Sequence, residues 1–160
     1  MKTTSGKIGI GPLLAVLLLA APLGCGGTQG PSQGNYIEPI MLEGCASATG
    51  ELPADQRSLA AMVAALHASR FQIHQVSPVE FQVYTEFREL RGGITAAWAA
   101  QIYSDGSAQL SLPETMPMQD ARALDYLRRL GTKIGRYFDK YKCAPVDRLR
   151  AASAKGGYPF

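Results

Sequence analysis

A period-two alternation between residues 79 and 112 constrains this chain more than any other feature. Val79, Phe81, Val83, Thr85 and Phe87 fall on one side of an extended chain; Glu80, Gln82, Tyr84, Glu86 and Arg88 fall on the other. Successive strand side chains point to opposite faces, so this pattern builds a sheet with one buried and one wet face. Arg91-Gly92-Gly93 turns the chain, and Ile94, Ala96, Trp98, Ala100 and Ile102 repeat the alternation. Ser104-Asp105-Gly106-Ser107 is a hairpin signal, because Asp-Gly tolerates the positive φ of a tight turn. Ala108, Leu110 and Leu112 form the next strand, stopped by Pro113. Phe71 and Ile73 open a shorter strand upstream, broken at Ser77-Pro78.

Helical periodicity brackets these strands. From Pro53 to about Arg70, Leu59, Met62, Val63 and Leu66 follow the i, i+3, i+4, i+7 spacing of one buried face. From Met118 to about Lys142, Leu124, Leu127, Leu130, Ile134, Tyr137, Phe138 and Tyr141 form an apolar stripe. Gly131 and Gly135 interrupt it, either to permit close packing on the sheet or to mark a kink. The order α-β-β-β-β-α predicts an α+β domain. We expect a two-layer sandwich: a four-stranded antiparallel sheet with two helices packed on one face.

The first 25 residues are of another kind. Lys2 and Lys7 precede an apolar run from Ile8 to Gly24 that Gly9, Gly11, Pro12 and Pro22 interrupt. A basic segment followed by a short apolar segment is the layout of a secretory signal peptide. The rival reading is a retained membrane anchor, for which the run is short. Ala21-Pro22-Leu23-Gly24-Cys25 resembles the lipobox of bacterial lipoproteins, although Leu23 stands two residues before the cysteine and not the usual three. The resemblance implies cleavage before Cys25 and lipidation of that cysteine. Gly26, where an aspartate would favour the inner membrane, implies the outer membrane, with the domain facing the periplasm or the cell surface.

This organisation divides the chain into a signal peptide (1–24), a lipid-anchored flexible tether (25–43), a globular domain (44–145) and a mostly mobile tail (146–160). The tether would reach about 25 Å as a random coil. Tyr36, Ile37, Ile40, Met41 and Leu42 are expected to meet the domain where it arrives. Cleavage removes two of the 16 basic residues and none of the 13 acidic ones, so the mature chain is nearly neutral. Nothing in that balance suggests nucleic acid.

Three cysteines leave Cys45 and Cys143 as a pair once Cys25 carries lipid. In an oxidising compartment we expect them bridged, stapling the start of the first helix to the end of the second; two buried free thiols are the alternative.

No catalytic constellation emerges. His67 and His74 have no zinc-ligand spacing, and no metal is expected. Ser69, Ser104, Ser107 and Ser153 lack a nucleophile-elbow context. Glu80 and Glu86, six residues apart on one strand, would stand about 20 Å apart, too far for paired carboxylate chemistry. We expect no enzyme activity and no cofactor.

What remains is surface. The candidate interaction residues are Tyr84 and Tyr103 on the wet sheet face and Arg129, Lys133 and Arg136 on the last helix. Such a chain reads as a lipid-anchored accessory or assembly subunit of an envelope complex for motility, secretion or outer-membrane assembly. Its partners would be the membrane, through the lipid, and an envelope protein. The alternative is a periplasm-facing binding protein for a small ligand or cell-wall fragment.

Overall fold

The structure, a computed structural model, describes residues 37–46, 51–113 and 121–160. Cys25, the signal segment, the tether as far as residue 36 and the expected helix start at Met118 lie outside these residues.

The elements run β1 (Ile40–Leu42), α1 (Ala54–Ala68), β2 (Ile73–Ser77), β3 (Gln82–Thr85), β4 (Arg88–Glu89), β5 (Thr95–Ala96), β6 (Ala99–Ile102), β7 (Ala108–Ser111), α2 (Ala121–Lys142) and α3 (Val146–Lys155). The class is α+β with an antiparallel main sheet, as the alternation predicts. The sheet has five strands in the order β1-β7-β6-β3-β2, and β4 and β5 form a separate two-stranded ribbon. The expected four strands and two helices are therefore corrected, among the described residues, to a five-stranded main sheet and three helices.

The extra main-sheet strand comes from the segment assigned to the tether. Ile40 and Leu42 face inward opposite Leu110 and Ala108, which adds β1 to the edge at β7. Three residues are too few to reveal a period, so no sequence pattern announces this strand.

The ribbon arises because the long strand expected from 79 to 88 breaks. Phe81 has φ 53, so β3 begins only at Gln82, and Val79 is left 89% exposed. The partner breaks at Trp98, whose N–H donates to the Thr85 Oγ1 (2.8 Å) while the Thr85 N–H donates to the Trp98 carbonyl (3.0 Å). This crossing of bonds separates β5 from β6 and turns the Trp98 ring into the core, where it is fully buried. Phe87, expected inside, is exposed in the gap between β3 and β4. Further along, the Ser104–Ser107 hairpin forms as expected. Gly106 takes φ 82, and Asp105 accepts from the Ser107 N–H (2.8 Å) and hydroxyl (2.6 Å).

Apolar residues on the inner sheet face meet α1. Leu59, Met62, Val63 and Leu66 are buried as their spacing predicts, but so is every other residue from Arg57 to Leu66. A helix buried all round needs cover on all sides. The sheet lies on one side, and α2 and α3 supply the rest. Ala60, Ala61, Ala64 and Ala65 keep that crowding feasible, since small side chains let helices approach. α2 crosses the sheet at Gly131, where a Cβ would stand 3.0 Å from the Trp98 ring and press on Ile40. Of the two roles open to Gly131, close packing is the one observed.

α3 replaces the expected mobile tail. Pro145 precedes it, Gly156 and Gly157 follow it, and Leu149 and Ser153 pack fully buried against α1. Its ten residues are too short for a convincing apolar stripe, and most of its burial energy comes from one leucine. The Pro and Gly brackets were the readable signal.

Cys45 and Cys143 are bridged, with Cα atoms 5.3 Å apart across a separation of 98 residues. The bridge ties the segment after β1 to the end of α2. Beside it, the Lys142 ammonium donates to the Glu43 carbonyl (2.7 Å). Arg57 reaches from α1 to the same region, donating from its buried guanidinium to the Ala144 carbonyl (2.8 Å).

Candidate functional site

The strand register builds the outer sheet face residue by residue. Directly opposed residues share a face, so Met41, Gln109, Gln101, Gln82 and Ser77 make one row across the sheet. Ser111, Ala99, Tyr84 and Gln75 make the next. Neither row carries a formal charge. The Gln82 side-chain amide donates to Gln101 Oε1 (2.7 Å), the Tyr84 hydroxyl to Gln82 Oε1 (2.9 Å) and the Gln101 side-chain amide to the Glu80 main-chain carbonyl (2.9 Å). The Tyr103 hydroxyl donates to Gln109 Oε1 (2.6 Å). These bonds hold exposed side chains in fixed positions, which reduces the entropy that a partner would otherwise have to remove. A shallow depression of about 200 Å³ lies among Gln82, Tyr84, Ala99, Gln101, Gln109 and Ser111. No helix among the described residues packs on this face at the level seen inside, and Tyr84 and Tyr103 remain more than a third exposed.

Arg129, Lys133 and Arg136 lie elsewhere. On α2 they point away from Gly131, Ile134 and Phe138, which face inward. Arg122 and Lys140 extend the same exposed line. Because α2 packs against α1 and β1 on the inner side, the tyrosines and the basic line occupy opposite sides of the layered domain. The two sets do not form one patch. Arg129 pairs with Asp125 one turn earlier, and Lys133 lies 6.0 Å from the centre of the Tyr137 ring.

A larger cavity, about 580 Å³, lies where α1 and α3 end side by side. Its lining includes His67, Arg70, Phe71, Ile73 and Lys155. Both helices end in the same hydrogen-bond pattern. After α1, the Arg70 N–H donates to the His67 carbonyl (2.8 Å) and the Phe71 N–H to the Leu66 carbonyl (3.0 Å). After α3, the Gly157 N–H donates to the Ala154 carbonyl (3.0 Å) and the Tyr158 N–H to the Ser153 carbonyl (3.1 Å). This closure needs one left-handed residue, usually glycine. Gly157 fills that place with φ 88, whereas Arg70 fills it with φ 67. The Arg88 guanidinium braces the α1 turn, donating to the Ser69 (3.2 Å) and Arg70 (2.8 Å) carbonyls above the Phe71 ring. This site is not legible in the sequence because Lys155, Gly156 and Gly157 lie in the supposed tail; a basic residue at the helix stop is its only signal.

His67 lies at this cavity and His74 on β2. Among the described residues, no three His, Cys, Asp or Glu side chains gather as a metal site requires. Also among them, no helix is long and apolar enough to cross a membrane. Asp105, held below the usual carboxylate range chiefly by the Ser107 hydroxyl, is a turn residue on the hairpin. Burial pushes the Tyr158 phenol up, in keeping with its packing against the core.

Compared with known proteins, the chain matches no family model, and no curated protein resembles it at a significant level.

Proposed function

We propose that this protein is a non-enzymatic, lipid-anchored accessory subunit of a bacterial envelope complex, facing the periplasm from the outer membrane. The machinery it serves would be one of motility, secretion or outer-membrane assembly. The observation that carries the reading is the outer sheet face. It is uncharged along its two central rows and internally hydrogen-bonded, with two tyrosines each more than a third exposed. Amide and hydroxyl groups of this kind donate and accept equally well and suit a protein surface of matching polarity. Its depression, at about 200 Å³, is smaller than the roughly 300–1,000 Å³ of typical small-molecule sites. The signal layout and Cys25 support the anchor, and the Cys45–Cys143 bridge suits an oxidising compartment.

The test is quantitative mass spectrometry of the tagged chain drawn from gently solubilised envelopes. One stoichiometric envelope complex is expected, lost when Cys25→Ala removes the lipid site. It should also be lost when Tyr84→Ala and Gln101→Glu alter the sheet face. A monomer in all three preparations overturns the reading.

A further inference from the structure

β2 is an edge of the main sheet and, among the described residues, pairs only with β3. Ile73-His74-Gln75-Val76-Ser77 carries no lysine, no carboxylate and no proline. Edges that resist pairing usually hold such residues. The one irregularity lies between Ile73 and Gln75, leaving Gln75 to Ser77 as a regular ladder.

Direction matters here. A strand added antiparallel to β2 would run from Ser77 towards Ile73, so its C-terminus would arrive beside Phe71 and Ile73. Those two residues line the cavity between the ends of α1 and α3. His67, Arg70 and Lys155 also line it, and no carboxylate does. Among the described residues neither Arg70 nor Lys155 enters an ion pair. Phe160 is engaged elsewhere: its main-chain oxygen accepts from Arg150 (3.0 Å), whose guanidinium covers the Phe160 ring.

The contrast between the helix ends adds weight. Left-handed backbone is costly for an arginine, yet the α1 turn holds one there and braces it with Arg88. The matching turn of α3 uses glycine. The hydrogen bonds of helix closure do not need that cation, which also complements the partial negative charge at the C-terminal end of α1.

We propose that the β2 edge and this basic cavity together bind an extended peptide by its free C-terminal carboxylate. The edge supplies main-chain hydrogen bonds, and Arg70 and Lys155 hold the carboxylate, with His67 alongside. Strand addition and carboxylate capture are compatible modes, one giving affinity and the other fixing the end of the peptide. At about 3.3 Å per residue, the five residues of β2 accommodate roughly four to five peptide residues. This site goes beyond the accessory reading and does not depend on the lipid or on the outer sheet face.

The test uses the full chain in mild detergent. Random hexapeptides displayed with free C-termini are selected against it, and the recovered sequences are synthesised with a fluorescent N-terminus. Each is made both as the free acid and as the C-terminal carboxamide. Binding is read by fluorescence polarisation. The free acid is expected to bind about tenfold or more tightly than the carboxamide, the worth of a charge-assisted pair. Arg70→Gly and Lys155→Ala should each weaken the free acid by a similar factor while leaving the carboxamide unchanged. Glycine relieves the backbone at position 70, so loss of binding in Arg70→Gly is not loss of fold. Hydrogen exchange should show new protection at Gln75 to Ser77. No recovered peptide, equal binding of acid and carboxamide, or protection away from β2 overturns the proposal. So does saturable binding of inorganic phosphate or acetate that the selected peptides do not displace. If peptides bind but no envelope complex is recovered, the accessory reading fails and this site stands.

Discussion

The two faces of the main sheet are built from the same strands, one residue out of step, and they do different work. On the inner face, Val83, Ala100, Ile102 and Leu110 are buried to 3% exposure or less, beneath α1 and the Trp98 ring. On the outer face, Gln82, Tyr84, Gln101, Tyr103 and Gln109 bond to one another or to the backbone and stay partly or fully exposed. The inner face is specified by volume, since a packed interior tolerates neither gaps nor excess atoms. The outer face is specified by hydrogen-bond geometry, which costs little stability to alter. A side-chain period of two thus lets one sheet hold the fold together and present a surface at once.

Several measurements can break or sharpen this contrast. The largest effect is expected from the bridge that ties the helical cover to the segment after β1. Replacing Cys45 and Cys143 with serine, or reducing them, should cost about 4–5 kcal/mol in the chain-entropy view of a loop this long. Urea unfolding measures it, and an unchanged midpoint would mean that packing alone secures the inner face. Trp98→Ala empties the centre of that face and should cost about 3–5 kcal/mol, read as a lower melting temperature. Arg70→Gly should have the opposite sign: relief of the left-handed turn stabilises by about 1 kcal/mol while binding of the free-acid peptide weakens about tenfold. Tyr84→Ala on the outer face should stay within about 0.5 kcal/mol of the parent while abolishing the envelope complex. A large loss of stability there would collapse the distinction between the faces.

The smallest effect concerns pH. The folded Asp105 carboxyl lies below its usual range, first because the Ser107 hydroxyl donates to it and then because the Ser107 N–H does. Such a group contributes stability above the unfolded-state pKa and loses it as pH falls through the folded value. Asp105→Ala should therefore lower the melting temperature slightly at neutral pH, and the difference should vanish in acid. Asp105 is exposed, so a difference that grows in acid would place the effect elsewhere.

The two helix ends teach a second version of the same lesson. Their hydrogen bonding matches, yet one uses Gly157 and the other Arg70. Only the α1 end places a cation at the left-handed position itself; the α3 end contributes Lys155 from its last helical residue. From sequence alone, Arg70 is an unremarked basic residue at a helix stop, and Lys155 belongs to a tail.

What the sequence determined by itself was local. The Asp-Gly hairpin, the existence of α1 and α2, and the inward alternation of Ala96, Trp98, Ala100 and Ile102 all follow from turn chemistry and period. The cysteine count made one bridge the simplest pairing. Only tertiary structure decided the rest. Phe81 enters the left-handed region, and Trp98 crosses to Thr85 with its ring in the core against Gly131 of α2. β1 joins the sheet although three residues carry no period, and α3 forms although one leucine makes most of its buried face. Both are stabilised by surfaces that other segments provide, and short elements whose energy comes from distant neighbours leave little trace in their own residues.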